Sequence, residues 1–188
     1  MQSVTEPPRP AVAVILVAAG RGQRAGAGLP KQYRPLAGRP VIARTIAAFL
    51  DCPGVDHVLP VIHGDDRALF EATVADIDDD RLLPAIEGGA ERQASCLAGL
   101  ESLAALAPDL VLIHDAVRPF VSATTIATVI EALDTHPCVL CGVPVVDTVK
   151  RVAADGTVAD TVPRDGLWRA ATPQGFRFAA ILAAHRQL

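Results

Sequence analysis

Positions 11–24 read Ala-Val-Ala-Val-Ile-Leu-Val-Ala-Ala-Gly-Arg-Gly-Gln-Arg. Seven apolar residues in a row, ended by small residues and then by arginines, describe a strand buried on both faces that runs into a loop. A strand with no polar face belongs in a parallel sheet covered by helices on both sides. The loop extends to Arg39, and Pro40 then stands where the first turn of a helix over 41–50 tolerates it.

Outward from this start the same alternation continues. Residues 57–62 read as a strand, 66–76 as a helix and 82–86 as a short strand. Gly88 and Gly89 break the chain before a helix over about 92–106, and 110–114 is a strong strand. A helix over 123–135 and a strand over 138–143 follow. The rhythm predicts an α/β fold, Rossmann-like and doubly wound, with a mostly parallel sheet. It then changes: 148–152 and 157–162 flank Asp155-Gly156, a hairpin turn pair. Such a hairpin is either an edge addition to the sheet or an arm reaching to a partner. A last helix is expected over 178–187.

Composition narrows the function. The 188 residues suit one domain, taken here as 11–188 behind a flexible polar tail at 1–10. That tail has no apolar stretch to make a signal peptide, and no run approaches the ~20 apolar residues of a membrane helix. A formal net charge of −4 gives no general attraction to nucleic acid or anionic membranes. Four irregularly spaced cysteines and no export signal point to the cytoplasm. Cys138 and Cys141 form a C-x-x-C, but residues three apart on a strand face opposite ways, and no second pair follows at zinc spacing. They are expected to be structural cysteines in a buried strand.

In open α/β sheets ligands bind beyond the carboxyl ends of the strands, so the loops there carry the candidates. The first is Ala18, Ala19, Gly20, Gly22 and Arg24, with Lys31 beyond: small residues whose N–H groups can cradle phosphate, with fixed positive charge beside them. It is neither a dinucleotide fingerprint, since Ala25 stands at the third glycine and Pro30 interrupts, nor a Walker loop, since no G-K-[ST] occurs. A nicotinamide-dependent oxidoreductase is further disfavoured by His63-Gly64, where an acidic residue should follow the second strand. The second candidate is Gly89, Ala90, Arg92 and Ser95 at a helix start, able to bind a base edge or phosphate, or to act as a plain capped loop. The third is Asp115 with Arg118, suited to Mg²⁺ and phosphate, or to a loop-fixing ion pair. His114 beside them is expected to be a hydrogen-bonded core histidine. Asp147, Thr148, Lys150, Arg164, Thr172 and Gln174 form a polar rim around the hairpin.

The ordered set of these motifs resembles the 2-C-methyl-D-erythritol 4-phosphate cytidylyltransferase family of the non-mevalonate isoprenoid pathway. The matching stretches are A-A-G-x-G-x-R at 18–24, P-K-Q-Y at 30–33, G-G-x-x-R-x-x-S at 88–95, H-D-A-x-R-P-F at 114–120, D-T-V-K-R at 147–151 and D-G-L-W-x-x-x-T-P-Q at 165–174. The resemblance implies a Mg²⁺-dependent enzyme that joins CTP and a polyol phosphate. In it Ala18, Ala19, Gly20, Gly22, Gly89, Ala90, Arg92 and Ser95 hold the nucleotide, and Arg24, Lys31 and Arg164 are catalytic. Asp115, Arg118, Thr148, Arg164 and Thr172 bind the polyol phosphate, with Asp115 also the metal ligand. It implies a homodimer in which the hairpin arm, about 147–170, reaches the partner's site.

Val17 departs from a frequent proline and Ala90 from a frequent acidic residue. The family continues past residue 188 with further motifs, so the chain is expected to be shortened at that end or derived from a fusion with a cyclodiphosphate synthase. Ribitol-phosphate and other nucleotidyltransferases, and an inactive CTP-binding module, are the alternatives.

Overall fold

The computed structural model describes residues 9–20 and 28–187. Strand β1, Val12–Ala18, is buried on both faces and pairs in parallel with β4, His57–Ile62, and β6, Leu110–Asp115. The uninterrupted apolar run thus lies at the centre of the sheet. Between β1 and β4, a two-stranded turn of β2 (Pro35–Leu36) and β3 (Arg39–Pro40) leads into α1, Val41–Leu50. Ala37 and Gly38 take φ of 48° and 80° there, as a tight two-residue hairpin turn demands. Arg44 of α1 donates to the Leu36 and Ala37 carbonyls and so holds the turn against the helix.

The remaining elements are α2 (Arg67–Val74), β5 (Ile86–Glu87), α3 (Arg92–Ser102), α4 (Ala123–Ala132), β7 (Cys138–Pro144), β8 (Val149–Val152), β9 (Val158–Val162), β10 (Trp168–Arg177) and α5 (Phe178–His185). The main sheet has the order β5-β4-β1-β6-β10-β7. Its left side is parallel; β10 runs antiparallel to both neighbours. The fold is therefore the mostly parallel, doubly wound sheet that the alternation implies. Even-numbered residues of β1, Val12, Val14 and Leu16, pack with Ile42, Ile46, Phe49 and Ile126 on one face. Odd-numbered Ala13 and Ile15 pack with Leu100, Leu103 and Phe178 on the other. Each fully buried side chain of the Ile, Leu or Phe type contributes ~1.5–3 kcal/mol of transfer free energy, so α1 alone is strongly bound to the sheet. On the opposite face α3 lies close, because Gly99 leaves room that a Cβ would lose to Ile15 at 2.9 Å.

Three expectations need correction. The segment 138–143 is a strand but not a buried one: it is the sheet edge, Cys138 is exposed and Cys141 half-buried. The short strand expected over 82–86 shrinks to Ile86–Glu87, with Leu82 making only a single bridge to Val58. Arg9, placed in the flexible tail, makes a two-pronged ion pair with Asp56 at 2.6 and 2.9 Å.

Strand β10 is absent from the sequence pattern, since Thr172, Pro173 and Gln174 interrupt its apolar run. Proline has no N–H for the ladder. Accordingly, β10 pairs regularly with β7 up to Ala170↔Gly142, shifts register, and resumes at Gln174↔Leu140. The hairpin β8–β9 forms its own two-stranded sheet with most residues exposed, so it is an arm rather than an added edge. Gly156 supplies its left-handed turn residue at φ 85°. The Asp155 carboxylate accepts from the Thr157 amide and hydroxyl, and the hydroxyl contact first of all lowers its pKa.

Candidate active site

Loops after β1, β5 and β6 enclose a cavity of about 300 Å³. This is the carboxyl-end position expected of an open α/β sheet. Its lining brings together Ala18, Ala19, Gly20, Lys31, Gly89, Ala90, Arg92, Ser95 and Asp115, with Gln32 and Glu91 added. Gly22 and Arg24 lie outside the described residues. Arg118 and Thr172 instead line an adjoining cavity of about 570 Å³, together with His114, Phe120 and Thr125. Segment 114–118 contributes to both cavities. Thr148 and Arg164 line neither. Arg164 donates to the Val146 carbonyl within the arm itself.

Close approach builds the first cavity. A Cβ on Gly88 would stand 2.6 Å from the Ala19 Cβ, 2.7 Å from the Ser95 hydroxyl and 3.0 Å from Val61. A glycine there lets the β5–α3 loop lie directly on the end of β1. Ser95 is fully buried, and its hydroxyl reaches the Gly89 and Glu91 carbonyls at 3.2 and 3.0 Å, closing the loop onto the first turn of α3. The start of α3 then faces the cavity with the positive end of its dipole, an arrangement that favours anions.

Asp115 sits at the junction of the two cavities. Its Oδ2 accepts from Arg118 Nε at 2.8 Å, and its Oδ1 lies 3.4 Å from Arg92. Its backbone N–H points to the Thr172 hydroxyl at 3.4 Å, across the ladder break at Pro173. The loop-fixing pair anticipated for Asp115 and Arg118 is therefore present. It is joined by a second guanidinium from α3, which spacing along the chain could not reveal.

Two buried side chains brace this segment from behind. The His114 ring bonds the Arg118 carbonyl at 3.0 Å and packs edge-on against Phe49. Burial lowers its pKa, opposed by the Arg118 carbonyl, and the ring is hydrogen-bonded in the core as anticipated. Thr45, fully buried on α1, donates to the Ala116 carbonyl at 2.8 Å, with the Val41 carbonyl at 3.0 Å. Nothing in the sequence singled out Thr45, since a helical threonine reads as surface. Thr45→Val keeps the shape and leaves the buried Ala116 carbonyl without that donor. It is expected to cost ~1–3 kcal/mol, read as a lowered midpoint in urea unfolding. An unchanged midpoint would show the contact to be dispensable.

Gln32 is the other residue the sequence quoted without a role. It is 3% exposed, and its side-chain nitrogen donates to the Ala18 carbonyl at 2.8 Å, with the Gly20 carbonyl at 3.4 Å. Lys31, the first residue of the same 3-10 turn (Lys31–Tyr33), is exposed toward the cavity.

The arrangement thus offers small residues, a helix start and two cations at one cavity, and a guanidinium with a hydroxyl at the next. Comparison with known proteins gives the same picture. The family described as IspD, 2-C-methyl-D-erythritol 4-phosphate cytidylyltransferase, matches residues 12–188. Among curated relatives, the bifunctional enzyme IspD/IspF of Paramagnetospirillum magneticum is 55% identical over 172 residues, covering 92% of this chain and 44% of its own length. That of Rhodospirillum rubrum is 53% identical over 175 residues, covering 93% and 45%. The chain therefore spans less than half the length of these relatives. Among solved structures, the 4-diphosphocytidyl-2C-methyl-D-erythritol synthase of Anaerococcus prevotii superposes with a TM-score of 0.81 at 29% identity, over 95% of this chain and 74% of that one. The Francisella tularensis 2-C-methyl-D-erythritol 4-phosphate cytidylyltransferase gives 0.78 at 29%, over 94% and 77%. With the match running from the first core strand to the end of the chain, this protein belongs to the 2-C-methyl-D-erythritol 4-phosphate cytidylyltransferase family.

Proposed function

We propose that the chain transfers a cytidylyl group from CTP to 2-C-methyl-D-erythritol 4-phosphate, giving 4-diphosphocytidyl-2-C-methyl-D-erythritol and pyrophosphate. The observation that carries this reading is the pair of cavities sharing segment 114–118, each with its own cationic group. A nucleotide in the first and a polyol phosphate in the second would meet at Asp115. An oxygen of the polyol phosphate attacks the α-phosphorus of CTP; the bond from that phosphorus to the bridging oxygen breaks, and pyrophosphate leaves. A phosphate monoester is already anionic, so no general base is required, and positioning and charge stabilisation do the work. In this reading Ala18, Ala19, Gly20, Gly89, Ala90, Arg92 and Ser95 hold the nucleotide, Lys31 and Arg24 meet charge at the α-phosphate, and Arg118 and Thr172 hold the acceptor.

Magnesium keeps several waters and is held by one or two carboxylates plus substrate phosphates. Among the described residues no three acidic, His or Cys side chains gather into a cluster, and Asp115 is proposed as the carboxylate in that sparse pattern. Its Oδ1, with the longer Arg92 contact, has lone pairs to spare. When bound, the ion would neutralise phosphate charge.

The arm suits a second copy of the chain. Val146, Val152, Val158 and Trp168 are 56–69% exposed on the arm and its base, and Phe120 is 85% exposed nearby. A homodimer would cover them and bring Arg164 and Thr148 to the partner's site. Among the described residues no helix is long and apolar enough to cross a membrane, and a cytoplasmic enzyme free of nucleic-acid partners is proposed.

The deciding experiment follows pyrophosphate release with Mg²⁺, CTP and 2-C-methyl-D-erythritol 4-phosphate, against ribitol 5-phosphate and other nucleotides. Turnover with ribitol phosphate in place of the methylerythritol substrate would reassign the acceptor; CTP binding without turnover would leave a binding module. The dimer has its own test. Lys31→Ala and Arg164→Ala homodimers should both be poorly active, yet subunit exchange between them should restore roughly a quarter of wild-type activity. Half the dimers are then mixed, each with one site carrying both native residues. No recovery on mixing would place Arg164 in its own subunit's site or outside catalysis.

A further inference from the structure

Gln32 spends a long side chain inside the protein, where a hydrophobic residue of equal length would pack at lower cost. Its carboxamide has two N–H donors, and both nearby acceptors belong to the end of β1: the Ala18 and Gly20 carbonyls. Neither contact serves the core, since the two partners lie where the strand turns into the cavity lining. The residue immediately before it is Lys31, and the two share one 3-10 turn closed by backbone bonds from Tyr33 to Pro30 and from Arg34 to Lys31. That turn reaches the cavity after the long first loop, so its separation from β1 is not fixed by chain continuity. The carboxamide spans the gap directly.

We propose that Gln32 is a positioning residue: it ties the turn carrying Lys31 to the carbonyls of Ala18 and Gly20, and so sets the distance between the cation and the backbone cradle. This rests on the cytidylyl-transfer reading insofar as Lys31 is taken to meet phosphate charge. The consequence is that Gln32 and Lys31 act as a unit. Removing the tether leaves the lysine charged but misplaced, and removing the lysine leaves the tether with nothing to place.

A double-variant cycle tests this in the dimer-competent protein. Gln32→Met keeps the length and removes both donors. It is expected to lower kcat about tenfold while the KM for the polyol phosphate stays within about twofold, because the misplaced charge matters most as the transition state forms. Combined with Lys31→Ala, it should add less than about threefold to the loss from Lys31→Ala alone. Losses that multiply in the double variant would overturn the proposal, as would a Gln32→Met enzyme with wild-type kcat. The same four proteins are compared in equilibrium binding of Mg²⁺–CTP, which needs no acceptor. Coupling there, with no turnover on any acceptor, would sink the transfer reaction and leave the tether standing.

Should Gln32→Met fold poorly, Gln32→Glu keeps the shape. Its ionised form cannot donate, whereas its acid form can, and burial against carbonyls favours the acid. Its kcat, taken relative to wild type at each pH, should rise as pH falls. A ratio near one at high pH, where the carboxylate cannot donate, would count against the tether.

Discussion

Lys31→Ala is expected to lower kcat by about 10²–10³, equivalent to roughly 3–4 kcal/mol of barrier, with a much smaller change in folding stability. The asymmetry follows from where the side chain lies. Lys31 is exposed, opens onto the cavity and starts a turn fixed by backbone bonds and by Gln32, so its truncation removes charge without unpacking the core. Charge accumulates at the α-phosphate only as the new bond forms, so a preorganised cation there acts on the transition state more than on bound CTP. Lys31→Arg should recover only part of the rate, since the guanidinium is a planar fork and not a compact point charge. Rapid-quench measurement of the chemical step separates this from slow product release. A Lys31→Ala enzyme retaining most of its single-turnover rate would remove the residue from the chemistry.

Gly88→Ala should have a large effect for a single methyl group added at the site. The new carbon would meet Ala19, Ser95 and Val61 at 2.6–3.0 Å, and these belong to three different segments: the end of β1, the first turn of α3 and strand β4. Val61 is fixed in the sheet, and Ser95 is held in the first turn of α3 by two carbonyls. The β5–α3 loop must therefore lift away from β1. Overpacking of this kind costs ~1–3 kcal/mol, which for a chain of this size lowers Tm by about 2–4 °C per kcal/mol. The same lift widens the first cavity, so under the proposed function CTP affinity should fall together with Tm. Gly20→Ala is the matched comparison for stability: among the described residues its Cβ meets nothing within 4 Å, and the Tm of the free protein should not move. Equal Tm values for the two variants would show that the loop is softer than its contacts imply.

The central strands β4, β1 and β6 were legible because they are apolar on both faces, and a run such as Val12–Ala18 admits few other environments. Strand β10 was not. Thr172 and Pro173 interrupt β10 with residues that ordinarily end strands, and only the antiparallel partners on either side show that the chain continues through them. The run around Cys138 and Cys141 was misjudged for a related reason. Apolar residues on an edge strand look like those of a central one when a partner surface, rather than a helix, is what could cover them. At the site, the loops lining the first cavity followed from their place after the strands. The bracing groups, Gln32 and Thr45, did not, because a buried polar side chain carries no pattern in sequence. Its role lies in which backbone carbonyl it reaches, and that depends on two segments meeting in space.

The placement of β10 has one more consequence. A single strand leaves the base of the arm at Trp168, passes Thr172 beside the amide of Asp115, and ends at Arg177, where α5 begins. The surface proposed to meet a second subunit and the wall of the second cavity are thus consecutive stretches of one backbone. Under the proposed function, drift in that surface would not be neutral for the chemistry: a substitution near Trp168 that tilts the strand also moves the hydroxyl four residues along. The proposed assembly and the proposed reaction would then be inherited together through covalent continuity, and compounds that wedge the arm would act on turnover without entering either cavity.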